Sequence, residues 1–332
     1  INIDKYFMPS VANVIGTDLS KYKLISKGLF ACNPMHVGRD ERLPIALYTE
    51  EIPALVSPAY FMFKIIDETV LNSEYLMMWF RRPEFDRQCW LRTDGSVRGG
   101  ITWDDICRLE VPVIPYGDQL HIVENYKVIT ERIELKRKIN DNLEAQAQAV
   151  IADRIAKSGS ETTVDTLVTL FDNMRRPMSS LDRSGMERLY PYYGAAALMD
   201  YVDDYIFDGI YGLLGEDGTV MDENGYPTMQ YVWGKFWVNN HAHIFQGKNG
   251  YSTELVYLLL KKTVVRNAVT GAVQLKINQE NLRNLPINVP CSDDLVELNR
   301  LIQAIFDSIR KNGDEITQLD VLKDTLLSKM SD

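Results

Sequence analysis

The chain has 332 residues, of which 45% are hydrophobic and 25% are charged, a composition typical of a folded globular protein with about two domains. Its net charge of −10 argues against a protein that binds DNA through bulk charge, so a DNA-binding function would depend on local basic patches. No apolar run approaches the ~18 residues needed to cross a bilayer, and the four cysteines form no CxxC pair, so we expect no membrane partner and a cytoplasmic location.

The first 115 residues are predicted to mix strands and helices. Residues 53–66 are rich in aromatic and β-branched side chains, which favours a strand. The next segment predicts a helix capped by Asn72 or Ser73, because apolar residues recur at helical spacing at Tyr75, Leu76, Trp79 and Phe80.

A segment of the first half is repeated in the second half without a gap. Residues 95–113, GSVRGGITWDDICRLEVPV, align with residues 271–289, GAVQLKINQENLRNLPINV, at an offset of 176. An offset this long indicates a duplicated domain, because solenoid repeats have periods of about 20–50 residues. The segment YSTELVYLLLKK, with Ser252 as its predicted cap, resembles the first predicted helix at an offset of 180. The interiors of the two halves differ, which favours related but non-identical tasks.

Each half ends in a segment with the spacing of a long helix. Apolar residues alternate at intervals of three and four, as in the heptad seam of a coiled coil, and polar residues interrupt both seams near Lys136, Asn140 and Asn312. These polar positions could fix the register, or they could lie on an exposed edge. Gly313 predicts a weak point, with a kink or a break there. The predicted seam residues are Ile122, Tyr126, Ile129, Ile133, Leu143, Val150, Leu298, Ile302, Ile305, Ile309, Leu319 and Leu326.

No catalytic residue, cofactor site or metal site is predicted. The chain has no GxxxxGK[ST] loop and no glycine fingerprint after a strand, and its acidic pairs are typical of solvated surface. His241 and His243 would share one face of a strand, but no third ligand is near in sequence, so a packing or hydrogen-bonding role is the default.

Basic and amide side chains recur at corresponding places in the two halves. Arginine pairs with guanine, asparagine and glutamine pair with adenine, and lysine contacts phosphates. The alternative is a solvated face with internal ion pairs, such as Arg82 with Asp86. The candidate DNA contacts are Arg39, Arg42, Arg81, Arg82, Arg92, Arg98, Arg175, Arg176, Lys235, Asn239, Asn240, Lys261, Lys262, Gln274 and Lys276.

The order of globular unit, long helix, second globular unit and second long helix resembles the specificity subunit of type I restriction–modification systems. The phrases that carry this resemblance include CNPMHVGRDERLPIALY, LNSEYLMMWFRRPEFDRQCW, RIELKRKINDNLEAQAQAV and TGAVQLKINQENLRNLPINVP. The resemblance implies an α+β fold, in which two mixed α/β target-recognition domains in tandem repeat are each followed by a long helix. It also implies that the two helices pair as an antiparallel coiled coil.

The resemblance further implies the division of the chain and its partners. A first target-recognition domain is expected at residues 1–115, a first spacer helix at 116–153, a second domain at 154–291 and a second spacer helix at 292–332. The first domain is shorter than the second, so we expect it to be truncated at its N-terminus. The partners would be double-stranded DNA, two methyltransferase subunits, which bind the methyl donor and flip the target adenine, and motor-nuclease subunits.

Three hypotheses therefore remain. The first is a non-catalytic subunit that reads a bipartite, asymmetric DNA sequence, with a gap between the half-sites set by a spacer helix of roughly 50 Å. The second is an interaction scaffold with two binding modules joined by a coiled coil. The third is an enzyme with a dispersed active site. A steep dependence of DNA binding on salt would favour the first hypothesis.

Overall fold

The computed structural model describes residues 1–9, 18–35, 37–93, 99–271 and 274–331. The chain forms two compact units, one made of Ile1–Leu135 with Ile316–Asp332 and the other of Lys136–Glu315. Each of the two long helices has one part in the first unit and the other part in the second unit. Within the described ranges, none of the helices combines the length and the apolar composition that a bilayer-spanning segment requires.

The first unit contains short strands and helices around one aromatic core. Strands β2, β3 and β5 form a three-stranded antiparallel sheet in the order β3-β2-β5, and β1 pairs with β4. Their bounds are β1 Lys23–Ile25, β2 Phe30–Cys32, β3 Ile45–Leu47, β4 Ala54–Val56 and β5 Phe61–Phe63. The helices are α1 Val37–Asp40, α2 Ser73–Phe80, α3 Pro83–Trp90 and α4 Trp103–Cys107, followed by the start of α5, Tyr116–Ser158.

Proline explains two differences from the predicted elements of this unit. The predicted strand over residues 53–66 is two strands, because Pro58 has no N–H for the ladder and a turn from Ser57 to Tyr60 follows β4. The predicted helix is also divided, into α2 and α3. Arg82 is extended because it precedes Pro83, and Pro83 then occupies the first turn of α3.

The second unit contains a larger sheet. Six strands lie in the order β7-β12-β10-β11-β8-β9, and β13 pairs with β6 in a separate antiparallel ribbon. The strands are β6 Ser160–Thr163, β7 Val168–Leu170, β8 Tyr190–Tyr193, β9 Leu198–Val202, β10 Phe207–Gly215, β11 Met229–Val238, β12 Ala242–Gly247 and β13 Pro286–Val289. The helices are α6 Val164–Leu167, α7 Ser180–Arg183, α8 Thr253–Lys261, α9 Gln279–Arg283 and α10 Leu295–Ser328.

The two units share the same helix cap and the same amide hydrogen bonds at the start of a long helix, and we call this shared arrangement the frame. Asn72 caps α2 and Ser252 caps α8, each through a side-chain oxygen. In the first unit, the Gln119 side chain accepts from the Asn72 N–H at 2.8 Å and donates to the Val70 carbonyl at 2.9 Å. In the second unit, the Asn299 side chain accepts from the Ser252 N–H and donates to the Gly250 carbonyl. The residues of each pair differ by 180, so the start of α5 corresponds to the start of α10.

The long helices pack against each other within each unit. In the first unit, Val123 and Tyr126 of α5 share a core with Leu327 of α10. In the second unit, Ala147 of α5 shares a core with Ile302 of α10. Residues further along α5 therefore pack against residues earlier in α10, which is the antiparallel arrangement. Of the predicted seam residues, Tyr126, Ile133, Leu298 and Ile302 are buried, and Ile122, Ile129, Leu143, Val150, Ile305, Ile309, Leu319 and Leu326 are half-buried.

A polar layer interrupts this packing in the second unit. The Lys136 ammonium lies 3.0 Å from Asn312 Oδ1 and 2.7 Å from Glu315 Oε2. Asn312 donates to Asn140 Oδ1 at 2.8 Å, and Asn140 donates to the Ile309 carbonyl at 3.3 Å. These polar groups satisfy one another between the helices, so the layer favours one register of the pair.

Candidate nucleic-acid interface

Exposed cations and half-buried tyrosines lie on or beside β8, β9 and β11 of the second unit. The Lys235 ammonium lies 4.5 Å from the centre of the Tyr205 ring, and that ring lies 5.1 Å from the Tyr190 ring. A hydrogen bond to Tyr205 is the main cause that raises the pKa of Lys235 above its ordinary value. A cation over an aromatic ring is held near the surface while its charge still reaches solvent.

Two arginines lie beside β8 and β9 of the same unit, and they differ in exposure. The Arg188 guanidinium lies 5.4 Å from the Tyr201 ring centre and 3.3 Å from Asp200 Oδ1, and 69% of its side chain is exposed. The Arg183 side chain is only 10% exposed and binds the other Asp200 oxygen at 3.1 Å. The N–H of Tyr201 and the Arg183 guanidinium hold the pKa of Asp200 below its ordinary value. Arg183 therefore fixes the carboxylate, and Arg188 is the arginine that can reach a ligand.

A third arginine is brought to the same strands by a tryptophan. The Trp237 indole of β11 donates to the Arg176 carbonyl at 2.6 Å, and the Arg176 side chain is exposed. We give the name basic–tyrosine patch to a set of residues on or beside β8, β9 and β11, namely Arg176, Arg188, Lys235, Tyr201 and Tyr205. It offers cationic groups for phosphates and ring faces for bases or sugars.

Acidic residues border the basic–tyrosine patch. Asp203 and Asp204 are exposed in the loop after β9, and Asp208 lies opposite Lys235 in the pairing of β10 with β11. The patch is therefore not a surface of one charge sign. A ligand with alternating anionic and planar groups matches it better than a simple polyanion, because the carboxylates oppose unspecific attraction.

Two of the predicted DNA contacts, Arg82 and Asn239, are buried, and a third, Arg175, is largely covered. Arg82 is 3% exposed, and its guanidinium lies 4.2 Å from the Trp79 ring centre. Asn239 is 4% exposed and accepts from the His241 N–H at 2.8 Å. Arg175 donates to Glu216 at 2.5 Å and to the Ala242 carbonyl at 2.8 Å. Their side chains pack against other parts of the protein, and contacts of these three with DNA stay a prediction.

The other candidates of the first unit are more accessible, although all have neighbours. Arg39 pairs with Asp40, and Arg42 lies 3.3 Å from Asp4. Arg92 is exposed and donates to the Gln88 carbonyl. The half-buried Arg81 lies between the rings of Tyr6 and Tyr126, at 5.1 and 5.8 Å. Arg98 lies outside the described residues. The predicted pair of Arg82 with Asp86 is replaced by a pair of Asp86 with Lys5 at 2.8 Å.

The remaining candidates of the second unit have neighbours other than the residues of the basic–tyrosine patch. Lys261 is half-buried and binds Glu144 of α5, and Lys262 is exposed 5.7 Å from the Tyr226 ring. Asn240, Gln274 and Lys276 are exposed. Lys276 lies 3.1 Å from Glu216, which ties it to a buried ionic cluster.

This buried ionic cluster joins several elements of the second unit. His243 Nδ1 lies 2.6 Å from Asp172 Oδ2, and His243 Nε2 lies 2.8 Å from the Ile277 carbonyl. Because a carbonyl only accepts, Nε2 carries a proton and donates. Burial raises the pKa of Asp172, but the hydrogen bond and charge of His243 and the N–H of Ile244 outweigh it, so the net pKa is below the ordinary value.

The same cluster brings three possible metal ligands together, from Asp172, Glu216 and His243. Its charges are nevertheless already balanced, because Arg175 and Lys276 both bind Glu216 and Gln279 donates to Asp172. Both His243 nitrogens are also engaged. A cation would have to displace these partners, so the donor set fits a structural network better than a metal centre. His241 lies in the loop before β12 and pairs with Asp217, so the predicted shared strand face of the two histidines is wrong.

Comparison with known proteins assigns the domain that carries this surface. Residues 168–322 match the family model of the type I restriction modification DNA specificity domain. This part of the chain is therefore similar to the DNA specificity domain of type I restriction–modification systems. A protein from Haemophilus influenzae, described as a putative type I restriction enzyme specificity subunit (S.HindORF215P), is 32% identical over 143 residues. That alignment covers 43% of this chain and 36% of the relative, so the match spans about a third of the relative's length.

A solved structure of a type I restriction–modification S subunit from M. genitalium shares the fold. It is 15% identical, the alignment covers 93% of this chain and 84% of that chain, and the TM-score is 0.54. The predicted resemblance and the predicted α+β fold with two tandem domains and long helices are therefore confirmed. The matched specificity domain contains the whole basic–tyrosine patch.

Sequence reasoning missed several residues of this patch. Clusters of basic and amide residues in the sequence indicated Arg176 and Lys235. Tyrosines were not among the predicted contacts. The signal was present as YPYY in β8 and as single tyrosines at Tyr201 and Tyr205, each near a cation in space. Arg188 precedes this run by two residues, and a search for basic residues next to aromatic strands would have found it.

Proposed function

We propose that this chain is the non-catalytic, sequence-reading subunit of a type I restriction–modification complex, and that the basic–tyrosine patch is part of its contact with double-stranded DNA. The observation that carries the proposal is the coincidence of this surface with the matched specificity domain. Lys235 and Arg188 would contact phosphates, while the tyrosine rings would contact sugars or bases.

The proposal includes a bipartite and asymmetric target. Each unit would read one half-site, and the half-sites would differ because the sheets differ: three strands with β2 at the centre in the first unit and six strands in the second. The strands of a sheet determine which side chains face the DNA. Two different sheets would therefore recognise two different sequences. Methyltransferase subunits, two per chain, and motor-nuclease subunits would supply the chemistry.

The decisive experiment co-expresses the chain with its methyltransferase in a methylation-free host and maps methylated adenines. We expect a split motif with two different halves. Arg188→Ala with Lys235→Ala should reduce methylation at that motif, while the control Lys157→Ala, which removes an exposed cation at the end of α5, should leave it unchanged. Normal methylation by the double variant would exclude the patch from the DNA contact.

The affinity of the assembled complex gives a second, independent readout. Each phosphate contact adds about 0.9 to the slope of log affinity against log salt concentration. The double variant should therefore lower the slope by about 2 if both cations contact phosphates. DNA binding that does not change with salt would favour the interaction scaffold instead.

A further inference from the structure

The first unit has a half-open cavity of about 440 Å³ beside α2 and α5. Its walls include Met77 of α2, Val123 and Tyr126 of α5, and Thr49, which follows β3. Glu74 also lines the cavity and presents a carboxylate to it. Five further charged residues line the cavity on its other sides, and an apolar wall beside several polar groups is typical of a ligand site.

The second unit shows what occupies the corresponding position there. The offset of 180 that relates the helix caps and the amide contacts at the start of α5 and α10 also relates Glu74 to Glu254, Met77 to Tyr257 and Tyr126 to Phe306. In the second unit, the space between these residues is filled by the side chain of Tyr231 from β11.

Tyr231 makes both apolar and polar contacts in that position. Its ring lies 4.7 Å from the Phe306 ring centre and 5.5 Å from the Tyr257 ring centre. Its hydroxyl donates to Glu254 at 3.1 Å and accepts from Arg310. Under this ring, Glu254 is only 3% exposed. Burial and the charge of Glu254 raise the pKa of the phenol, which stays protonated and keeps donating.

Strand pairing identifies the residue of the first unit that corresponds to Tyr231. Phe63 and His243 each lie ten residues before the first residue of the following helix, Ser73 or Thr253. From these two residues, the pairing of strands leads across the central strand to Leu47 in the first unit and to Met229 in the second.

Two residues beyond that point, the first unit has a small side chain where the second has a phenol. Thr49 follows Leu47 by two, as Tyr231 follows Met229 by two. Thr49 lines the cavity. The frame is the same in both units, and the ring that fills it in one is replaced by threonine in the other.

The first unit keeps the glutamate that binds the hydroxyl, and a lysine one turn away pairs with it in place of the arginine. Glu74 Oε2 lies 2.5 Å from the Lys127 ammonium, a carboxylate–cation pair like that of Glu254 with Arg310. The Glu74 side chain is 39% exposed, whereas Glu254 is covered. We propose that this cavity binds a phenol ring from another molecule, with the ring between Met77 and Tyr126 and the hydroxyl donating to Glu74. This site is independent of the DNA-reading function.

The test titrates the full chain with p-cresol, the side chain of tyrosine, and follows the NMR signals of the methionine methyl groups. We expect saturable binding that shifts the Met77 signal and raises the melting temperature with ligand concentration. Toluene, which lacks the hydroxyl, should bind about tenfold more weakly or worse, because the charge-assisted hydrogen bond to Glu74 is lost.

Two variants locate the site. Thr49→Tyr restores the residue found in the second unit, so it should fill the cavity, raise the melting temperature and abolish p-cresol binding. Glu74→Gln, at a partly exposed residue, should fold normally and weaken p-cresol by about tenfold while leaving toluene unchanged. Failure of wild type to saturate with p-cresol, or equal binding by Glu74→Gln, would overturn the proposal.

A second ligand distinguishes the source of the ring. N-acetyl-tyrosine amide carries the same phenol on a peptide backbone. If it competes with p-cresol, the site takes a tyrosine side chain presented by a protein. If only p-cresol binds, the site takes a small free phenol. Methylation by the assembled complex is measured in parallel, so a failure of DNA reading and a failure of phenol binding are told apart.

Discussion

At the scale of single residues, charge in this molecule is used in two different ways. Arg175 and Arg82 resemble ligand contacts in the sequence, but they bind internal carboxylates, carbonyls and a ring face. Arg188 also binds an acid, yet most of its side chain is exposed. The difference lies in the neighbour, because Arg183 already holds Asp200 and leaves Arg188 able to exchange its partner.

The buried carboxylate of Asp172 gives a prediction about stability and pH. Its pKa in the folded protein is below the ordinary value of about 3.9, so its contribution is present above about pH 4 and is lost as pH falls through the folded pKa. Asp172→Asn should cost about 3–5 kcal/mol at pH 7, because it removes the carboxylate that pairs with the fully buried His243.

Melting temperatures of Asp172→Asn and wild type between pH 3 and pH 7 check this. We expect a gap on the order of 10 °C at pH 7 that narrows below pH 4. Asp293→Asn, at an exposed residue before α10, should follow the wild-type curve throughout. A constant gap across the whole range would mean that the carboxylate charge is not what stabilises this cluster.

At the scale of elements, the sequence predicted the regular parts well and the irregular parts poorly. The caps at Asn72 and Ser252 and both long helices could be derived, since capping and helical spacing are local signals. The division into α2 and α3 was missed, although Pro83 indicated it. The partners of buried ions could not be derived, because Lys5 and Asp86 are 81 residues apart and only tertiary contacts join them.

Gly313 shows why a local rule can fail. Its low helix propensity predicted a kink or a break, yet α10 is continuous from Leu295 to Ser328. A Cβ at this position would lie 2.7 Å from the Trp233 ring, and the Trp233 indole donates to Asp314 at 2.9 Å. The glycine is there because a tryptophan of β11 packs on the helix backbone, which no helical pattern reveals.

The alignment of the long helices was ambiguous for a related reason. The sequence repeat gives an offset of 176, whereas the amide contacts of Gln119 and Asn299 give 180. Four residues are about one helical turn, so both offsets superimpose apolar on apolar positions. Only the tertiary contacts at the helix starts decide between them.

Packing between the long helices yields a prediction for this element pair. Ile302 is fully buried in the core that contains Ala147 and Leu298, so Ile302→Ala should cost about 2–5 kcal/mol through lost burial and the cavity left behind. Leu301 is the adjacent control, because it is 44% exposed and its replacement by alanine should cost about 0.5 kcal/mol or less. Chemical denaturation of the full chain measures both, and equal losses would contradict the pairing.

At the scale of the whole molecule, the two halves use one frame for different surfaces. Helix caps, the amide contacts at the helix starts and the closing segment recur, since Thr102 caps α4 as Asn278 caps α9 at an offset of 176. The additional strands of the larger sheet and the ring of Tyr231 do not recur. A repeated scaffold with differing surfaces agrees with this pattern. The scaffold could be predicted from the sequence repeat, whereas the residues of the differing surfaces could not.

The paired helices lead to the last prediction, which rests on the proposed bipartite target. A heptad inserted into α5 alone would shift the Asn140 side of the polar layer away from Asn312. We therefore insert seven residues into both helices beside this layer, which preserves the seam and adds about 10 Å to the pair. Since base pairs are spaced about 3.4 Å apart, the unread gap between half-sites should grow by roughly three base pairs.

Methylome mapping of the complex with the double insertion measures that gap directly. The two half-site sequences should stay the same while the distance between them changes, because the reading surfaces are untouched. An insertion into α5 alone is the control, and it should lose methylation by mispairing the helices. Unchanged spacing with the double insertion would show that the helices do not set the gap, even if the chain reads DNA.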